Sequence, residues 1–229
     1  MYITNVLFIT QSAKIFYREA TCQNCHDEKV PVLLLHGLKF TSKTWLDLQT
    51  IKTVAEHGYH VIAVDLPSKG NSDAIPNGDK LNFISQFIKA IGFTKPAIVV
   101  PSYAGTFAIP YLLNMRDDLS GLMTIAPSET ELLVKYSCKN ASSEVILTHT
   151  PEYLKSLVPK DMPNLSCIKT PVLNTHGEFD RAKSVAILST LPNSRTFEFA
   201  EADHAAYLKR PKEFHTLLIA FLNELNKTI

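Results

Sequence analysis

The chain has 229 residues, with 23 Lys and Arg against 22 Asp and Glu, and 45% of its residues are hydrophobic. Two independent domains would each be small, so this length predicts one domain spanning residues 1–229. The balanced charge includes no basic patch, which excludes the nucleic-acid-binding class. The longest apolar runs are far shorter than the roughly 20 residues of a membrane span. The sequence therefore predicts neither nucleic acid nor membrane as a partner.

The first ten residues have no basic start, and their apolar segment is too short for a secretory signal. We therefore expect an intracellular, cytoplasmic protein. The four cysteines, at positions 22, 25, 138 and 167, do not form a disulfide scaffold. The segment Cys22-Gln-Asn-Cys25-His26 matches the C-x-x-C-H pattern. It is open to three interpretations: a surface loop, a haem attachment site or half a zinc site. The polar context favours the loop.

Short apolar segments alternate with amphipathic ones along the chain. Two short strands around a polar turn, at 6–9 and 14–17, predict an antiparallel hairpin. Further strands are predicted at 32–35, 60–64, 97–100, 121–125, 170–175 and 195–199. Helical spacing of apolar residues predicts helices at 44–56, 80–91, 105–115 and 213–225. This alternation predicts an α/β fold with a mainly parallel central sheet and helices on both of its faces.

Residues 127–166 interrupt this alternation. They contain weak helical patterns at 129–135 and 151–157, and the segment is too long for a bare loop. We expect a small lid inserted over the catalytic edge of the sheet. The alternative is a peripheral excursion that does not contact the site.

Polar residues follow three of the predicted strands. An apolar run ends at Pro101, and Ser102 follows it directly. This pattern predicts a strand that turns sharply into a helix with a nucleophile at the apex of the turn. Asp180 and His204 come after the strands at 170–175 and 195–199. Because right-handed crossovers bring the carboxyl ends of parallel strands to one edge, we expect the three side chains to meet.

The order Ser, Asp, His predicts nucleophilic catalysis of acyl transfer. His204 would take the proton of Ser102, and Asp180 would orient the imidazole. The backbone N–H groups of Leu38 and Tyr103 are the expected oxyanion donors. Taken singly, Ser102 could be a helix N-cap, Asp180 a cap of the next helix and His204 a surface residue; their joint placement favours catalysis. No H-E-x-x-H, P-loop or G-x-G-x-x-G pattern is present, so no metal or cofactor is expected to be required for catalysis.

Several longer segments carry a family resemblance. They are Val32-Leu-Leu-Leu-His-Gly37 with Trp45, Asp65-Leu-Pro-Ser-Lys-Gly-Asn-Ser72, Pro101-Ser-Tyr-Ala-Gly105 with Pro110-Tyr-Leu112, Leu191-Pro-Asn193, and the stretch from His204 to His215. With these segments the chain resembles the α/β-hydrolase superfamily over nearly its whole length. More narrowly, it resembles the α/β-hydrolase domain-containing protein 14 family, whose B-form is also called cell-cycle-gene-1-interacting factor B.

This resemblance implies an α/β-hydrolase fold with Ser102, Asp180 and His204 in the positions of the family's catalytic triad. It also implies hydrolysis of small acyl esters, with acetyl preferred, in cytosol and nucleus. The family further suggests transfer of acetyl from protein lysine to coenzyme A, and association with a transcription-initiation factor subunit. Two features depart from the family pattern: Val100 stands where a small residue is usual, and the 127–166 stretch is longer than expected.

The leading hypothesis is a serine hydrolase or acyltransferase that acts on small acyl esters or amides, including acetylated lysine. Two alternatives stay open. One is a non-catalytic receptor on the same fold that binds a ligand with the three residues, and the other is a transcription-associated scaffold without chemistry.

Overall fold

The computed structural model describes residues 3–10, 13–21, 29–75, 78–139, 144–145, 147–180 and 183–227. Within these ranges eight strands form one sheet in the order β1-β2-β4-β3-β5-β6-β7-β8. The strands are β1 (Ile3–Thr10), β2 (Ala13–Ala20), β3 (Val32–Leu34), β4 (Val61–Val64), β5 (Ala97–Pro101), β6 (Gly121–Ile125), β7 (Val172–Gly177) and β8 (Ser194–Phe199).

Helices cover both faces of this sheet. They are α1 (Ser42–Asp47), α2 (Thr50–Glu56), α3 (Lys80–Ala90), α4 (Gly105–Met115), α5 (Glu131–Val134), α6 (Glu152–Lys155), α7 (Lys183–Leu188), α8 (Ala206–Lys209) and α9 (Pro211–Asn226). Short 3₁₀ helices precede and follow α4, at Ser102–Ala104 and Arg116–Asp118.

The sheet topology confirms the predicted fold class. Strands β1 and β2 form the antiparallel hairpin, and β2 also pairs antiparallel with β4. From β4 through β3, β5, β6 and β7 to β8, every pairing is parallel. The carboxyl ends of these six strands therefore share one edge of the sheet, where open α/β sheets bind their ligands.

Alternate residues of the central strands belong to two separate cores. On β5, Ile98 and Val100 pack in the cluster that contains α3 and α4 side chains, such as Phe87. Ala97 and Val99 pack on the other face, with apolar residues of α1, α2 and α9. Strands buried on both faces need an unbroken apolar sequence, and this requirement explains the apolar runs at the predicted strand positions.

One predicted helix is divided. Residues 44–56 carry a continuous apolar pattern, but α1 ends at Asp47 and α2 begins at Thr50. Between them Gln49 has a φ of 61°, in the left-handed region, where the helix cannot continue. Both pieces bury residues in the same core, Trp45 from α1 and Ile51 from α2, so the pattern alone did not detect the break.

The 127–166 segment contains α5 and α6, which pack against α4 and α7. Leu133 joins the core beneath α3 and α4, and Leu154 packs with Val185 of α7. The Tyr153 hydroxyl lies 3.1 Å from Nε2 of the buried His176, at the end of β7. The single domain predicted for residues 1–229 stays a prediction. The role of residues 127–166 as a lid stays a prediction as well.

The structure also contains a disulfide that sequence analysis missed. Cys138 and Cys167, which are 29 residues apart, are bonded to each other. No local pattern signals such a pair; the two residues meet because the 127–166 segment folds back before β7 begins. Cys22, Cys25 and His26 lie outside the described residues. Among the described residues, no cluster of three or more His, Cys, Asp or Glu could hold a metal ion, and no helix is long and apolar enough to cross a membrane.

We expect loss of the Cys138–Cys167 bond to lower the free energy of unfolding by roughly 3 to 4 kcal/mol, because a loop of this length gains that much freedom in the unfolded chain. Urea denaturation with and without dithiothreitol measures the change. The double variant Cys138→Ser/Cys167→Ser is the control, and dithiothreitol should not destabilise it further. Equal sensitivity of both proteins would assign the effect to other cysteines.

Candidate active site

Ser102 stands at a sharp turn between β5 and the 3₁₀ helix that leads into α4. Its φ is 46°, a left-handed value that costs a non-glycine residue about 1–3 kcal/mol. The backbone N–H and the hydroxyl of Ser128 donate to the Ser102 carbonyl, at 2.9 and 3.1 Å, and hold this conformation. A Cβ on Gly105 would lie only 2.2 Å from the Ser128 carbonyl oxygen, so only glycine allows this approach.

Val100, the first departure from the family pattern, does not disturb this turn. Its side chain is fully buried in the same cluster as Ala104 and Ala108. The small side chains on the helical side leave room for the branched one on the strand.

The three predicted residues form a continuous row of hydrogen bonds. Ser102 Oγ lies 2.7 Å from His204 Nε2, and His204 Nδ1 lies 2.5 Å from Asp180 Oδ2. An ionised carboxylate only accepts hydrogen bonds, so Nδ1 carries the ring proton and Nε2 accepts the Ser102 hydroxyl. The His204 side chain is 54% exposed and that of Asp180 is 23% exposed, which leaves the row open to solvent from the imidazole side.

Close contact between two loops brings Asp180 and His204 together. The N–H of Asp180 donates to the Gly177 carbonyl at 2.9 Å, and the N–H of Phe179 donates to the Ala202 carbonyl at 3.0 Å. A Cβ on Gly177 would lie 2.2 Å from that Ala202 oxygen. A glycine that ends a buried strand signals close backbone approach.

A cavity of about 350 Å³ opens beside Ser102 and His204. This volume lies within the range of small-ligand sites. Its other lining residues are Gly37, Leu38, Lys39, Phe40, Pro101, Ile125, Ala205 and Tyr207. No described residue of 127–166 lines it.

The two expected oxyanion donors border this site. Leu38 lines the cavity and is 51% exposed, and its N–H donates no backbone hydrogen bond within the described part of the chain. Tyr103 is the second residue of a 3₁₀ helix. The first N–H groups of a helix have no acceptor within it.

Buried polar side chains fix the Leu38 loop from below. The Leu66 N–H donates to Nε2 of the fully buried His36 at 2.9 Å, so Nδ1 carries the ring proton and donates to the Gly37 carbonyl at 2.8 Å. Burial lowers the pKa of His36. The neighbouring Asp65 carboxylate accepts from the N–H of Ser42 at 2.7 Å.

Positive charge surrounds the residue that follows the nucleophile. The ammonium groups of Lys69 and Lys80 lie 5.8 and 5.1 Å from the centre of the Tyr103 ring, within the distance of cation–π contacts. Lys39 lines the cavity. None of these three lysines forms an ion pair with a carboxylate of the described residues. Lys39 is thus the one lysine among the described residues that line the cavity, and Lys69 and Lys80 lie against the ring of the residue after the nucleophile.

Comparison with known proteins agrees with this architecture. The family model described as "alpha/beta hydrolase fold" matches residues 30–162, and the chain is thus an α/β hydrolase by class. Protein ABHD14A of Danio rerio is 31% identical over 223 residues, which cover 93% of this chain and 73% of that protein. "Putative protein-lysine deacylase ABHD14B" of Homo sapiens is 30% identical over 223 residues, which cover 94% of this chain and 93% of the relative. The chain belongs to the ABHD14 family of α/β hydrolases.

A solved structure supports the fold over its full length. The crystal structure of a predicted CIB-like hydrolase from Thermoplasma acidophilum superposes with a TM-score of 0.74 at 21% sequence identity. The alignment covers 98% of this chain and 99% of that one.

We expect acid to destabilise the protein through His36. Its pKa is lowered in the folded state from the ordinary value of 6.5, so the unfolded chain binds this proton more readily. The stabilisation is complete above about pH 6.5 and is lost as the pH falls below that value, by up to about 1.4 kcal/mol per pH unit. Urea denaturation between pH 5 and pH 8 measures it.

The variant His36→Gln keeps an oxygen that can accept from the Leu66 N–H but has no ring to protonate. Its free energy of unfolding should fall less steeply below pH 6.5 than that of the natural protein. Parallel pH curves for the two proteins would contradict the assignment to His36.

Proposed function

We propose that the chain is a serine hydrolase or acyltransferase that cleaves small acyl esters or amides, with Ser102 as nucleophile, His204 as general base and Asp180 as the group that orients the imidazole. The observation that supports this proposal most is the row of hydrogen bonds from Ser102 through His204 to Asp180. The row starts at a residue with a left-handed backbone conformation and borders the cavity. A hydrolase fold shared with the ABHD14 relatives agrees with enzymatic activity.

In the first half of the reaction, Ser102 Oγ attacks the carbonyl carbon of the substrate while its proton passes to His204 Nε2. The carbonyl oxygen becomes an oxyanion, for which the N–H groups of Leu38 and Tyr103 are the proposed donors. Losing one such donor typically costs roughly 3–4 kcal/mol of transition-state stabilisation. His204 then returns the proton to the leaving alcohol or amine, and the acyl group stays on Ser102.

In the second half, an acceptor attacks the acyl-serine, and His204 takes its proton. The acyl group leaves on the acceptor, and Ser102 regains its hydrogen through the same imidazole. Asp180 stabilises the imidazolium that forms in both halves. This chemistry requires no metal or cofactor.

Acylated lysine is the proposed natural substrate class, since the human relative's name describes a putative protein-lysine deacylase. Leu38 and Phe40 line the cavity, and Leu38 is exposed. These apolar side chains suit the methylene stem of a lysine. The predicted association with a transcription-initiation factor subunit stays a prediction.

Coenzyme A is the proposed acyl acceptor besides water. Its thiol would take the acyl group from Ser102, and its phosphates need cations. Lys69 and Lys80, beside Tyr103, and Lys39, at the cavity, offer ammonium groups without a carboxylate partner among the described residues. These lysines favour an anionic acceptor on physical grounds alone.

We expect Ser102→Ala to lower the turnover of p-nitrophenyl acetate by roughly a thousandfold or more, because the nucleophile is lost. The melting temperature should barely move, because the hydroxyl that is removed is partly exposed. A fluorophosphonate probe should label the natural protein at Ser102 and fail to label the variant.

Ser156→Ala is a matched serine control, because Ser156 is exposed, follows α6 and does not line the cavity. This variant should still be labelled by the probe. Retained turnover in Ser102→Ala would point to a different nucleophile. No labelling of the folded natural protein would favour the non-catalytic receptor.

For the acceptor, we expect the double variant Lys69→Met/Lys80→Met to raise the KM for coenzyme A about tenfold, because anion contacts are lost. Formation of acetyl-coenzyme A from p-nitrophenyl acetate measures it, and hydrolysis by water should change little. Lys52→Met, which lies on α2 and pairs with Glu56, is the control. An unchanged KM in the double variant would exclude these lysines from acceptor binding.

A further inference from the structure

We propose that the Tyr207 hydroxyl donates a hydrogen bond to the bound acyl group, and that the site thereby selects acyl groups carrying an acceptor oxygen in place of a methylene. The proposal rests on the function proposed above, since it names a substrate class for that same cavity. Tyr207 thus acts as a specificity-determining residue.

The position of the Tyr207 hydroxyl carries the inference. The residue is only 2% exposed, yet it lines the cavity together with Ser102 and His204. Its hydroxyl oxygen lies 3.9 Å from the point where a Cβ on Gly37 would stand, beside the loop that leads to Leu38. Among the described residues this hydroxyl has no hydrogen-bond partner, and its oxygen is not fully enclosed by protein atoms, so it is open to the cavity that Tyr207 lines. A hydroxyl in such a place normally bonds to water or to a ligand.

Aromatic packing holds this hydroxyl in place. The Tyr207 ring lies 5.0 Å from the Trp45 ring, 5.9 Å from Phe214 and 6.3 Å from Phe40, measured between centroids. The Trp45 indole is itself fixed, because its Nε1–H donates to the Leu35 carbonyl at 2.9 Å. Burial raises the pKa of Tyr207, so the phenol keeps its proton at neutral pH and is a donor.

The remaining lining is mostly hydrocarbon. Leu38, Phe40, Pro101, Ile125 and Ala205 present no side-chain polar atom, and Ser102 and His204 are hydrogen-bonded to each other. Among the described lining residues, Tyr207 is therefore the one whose uncharged side chain offers a polar atom that is not already hydrogen-bonded within the site. An alkyl chain would displace water from this hydroxyl and leave it unpaired, whereas an ether or keto oxygen would accept from it.

A binding site that must leave a buried donor unpaired discriminates strongly. The usual cost corresponds to about five- to a hundredfold in binding or in kcat/KM. We therefore expect oxygen-containing short acyl groups to be preferred over alkyl groups of the same length by a margin of that order.

The test compares isosteric substrate pairs: p-nitrophenyl methoxyacetate with butanoate, and 3-methoxypropanoate with pentanoate. For each pair, the ratio of kcat/KM values is measured in the natural protein and in Tyr207→Phe. Differences in intrinsic reactivity cancel when the two ratios are compared. We expect the preference for oxygen to fall about tenfold in Tyr207→Phe for at least one pair.

Tyr111→Phe is the matched control, because Tyr111 is a buried tyrosine of α4 that does not line the cavity. Its ratios should equal those of the natural protein. Unchanged ratios in Tyr207→Phe would overturn the proposal. If both members of each pair lost kcat/KM equally, the hydroxyl would serve only packing or the reacting carbonyl, and if neither changed, it would have no role in the reaction.

A binding experiment separates this proposal from the proposed chemistry. Ser102→Ala and Ser102→Ala/Tyr207→Phe are titrated with the N-benzyl amides of the same four acids and followed by ligand-observed NMR. Tighter binding of the oxygen-containing amides that depends on Tyr207 supports the proposal even if the natural protein hydrolyses no ester. Ester hydrolysis without such a preference would contradict the proposed role of Tyr207 but would still support the proposed serine hydrolase activity.

Discussion

The left-handed backbone of Ser102 is the constraint on which the rest of the site depends. A strand that ends in an ordinary conformation would pass its side chain to one face of the sheet, away from the edge. The positive φ turns the hydroxyl outward, and α4 starts directly behind it. The unfavourable backbone energy is offset by the two bonds from Ser128 and by the space that Gly105 leaves. The imidazole and the carboxylate need only reach that edge from neighbouring strand ends.

The site combines a polar foundation with an apolar cavity. His36 and Asp65 are buried and hydrogen-bonded to backbone N–H groups, so the loops around the nucleophile are fixed without the help of a ligand. Dipoles that are fixed before the reaction need not reorganise when charge develops. The cavity next to them is lined chiefly by carbon, which keeps hydrogen bonds made inside it strong.

Sequence reasoning predicted the features of the fold and of the site that follow from strand order. Buried apolar runs predicted the parallel sheet, and polar residues after the runs placed Ser102, Asp180 and His204 at a common edge. It failed where the cause is non-local or conformational. The left-handed backbone of Gln49 does not alter the apolar periodicity, and the Cys138–Cys167 pair depends on how a long segment folds back. The position of Tyr207 depends on packing against aromatic rings, such as that of Trp45, that are far from it in the sequence. The disulfide is also more typical of oxidising compartments than of the cytoplasm, where the sequence led us to expect the protein.

Ser128 has a consequence beyond the support of the turn. It is the second residue of the 127–166 segment, and it contacts the carbonyl group of the nucleophile directly. Two hydrogen bonds thus connect the 127–166 segment to the backbone of the nucleophile. A ligand or a movement that displaced Ser128 would change the orientation of the attacking oxygen, and by thermodynamic reciprocity an occupied reaction centre would change the affinity of the 127–166 segment for that ligand.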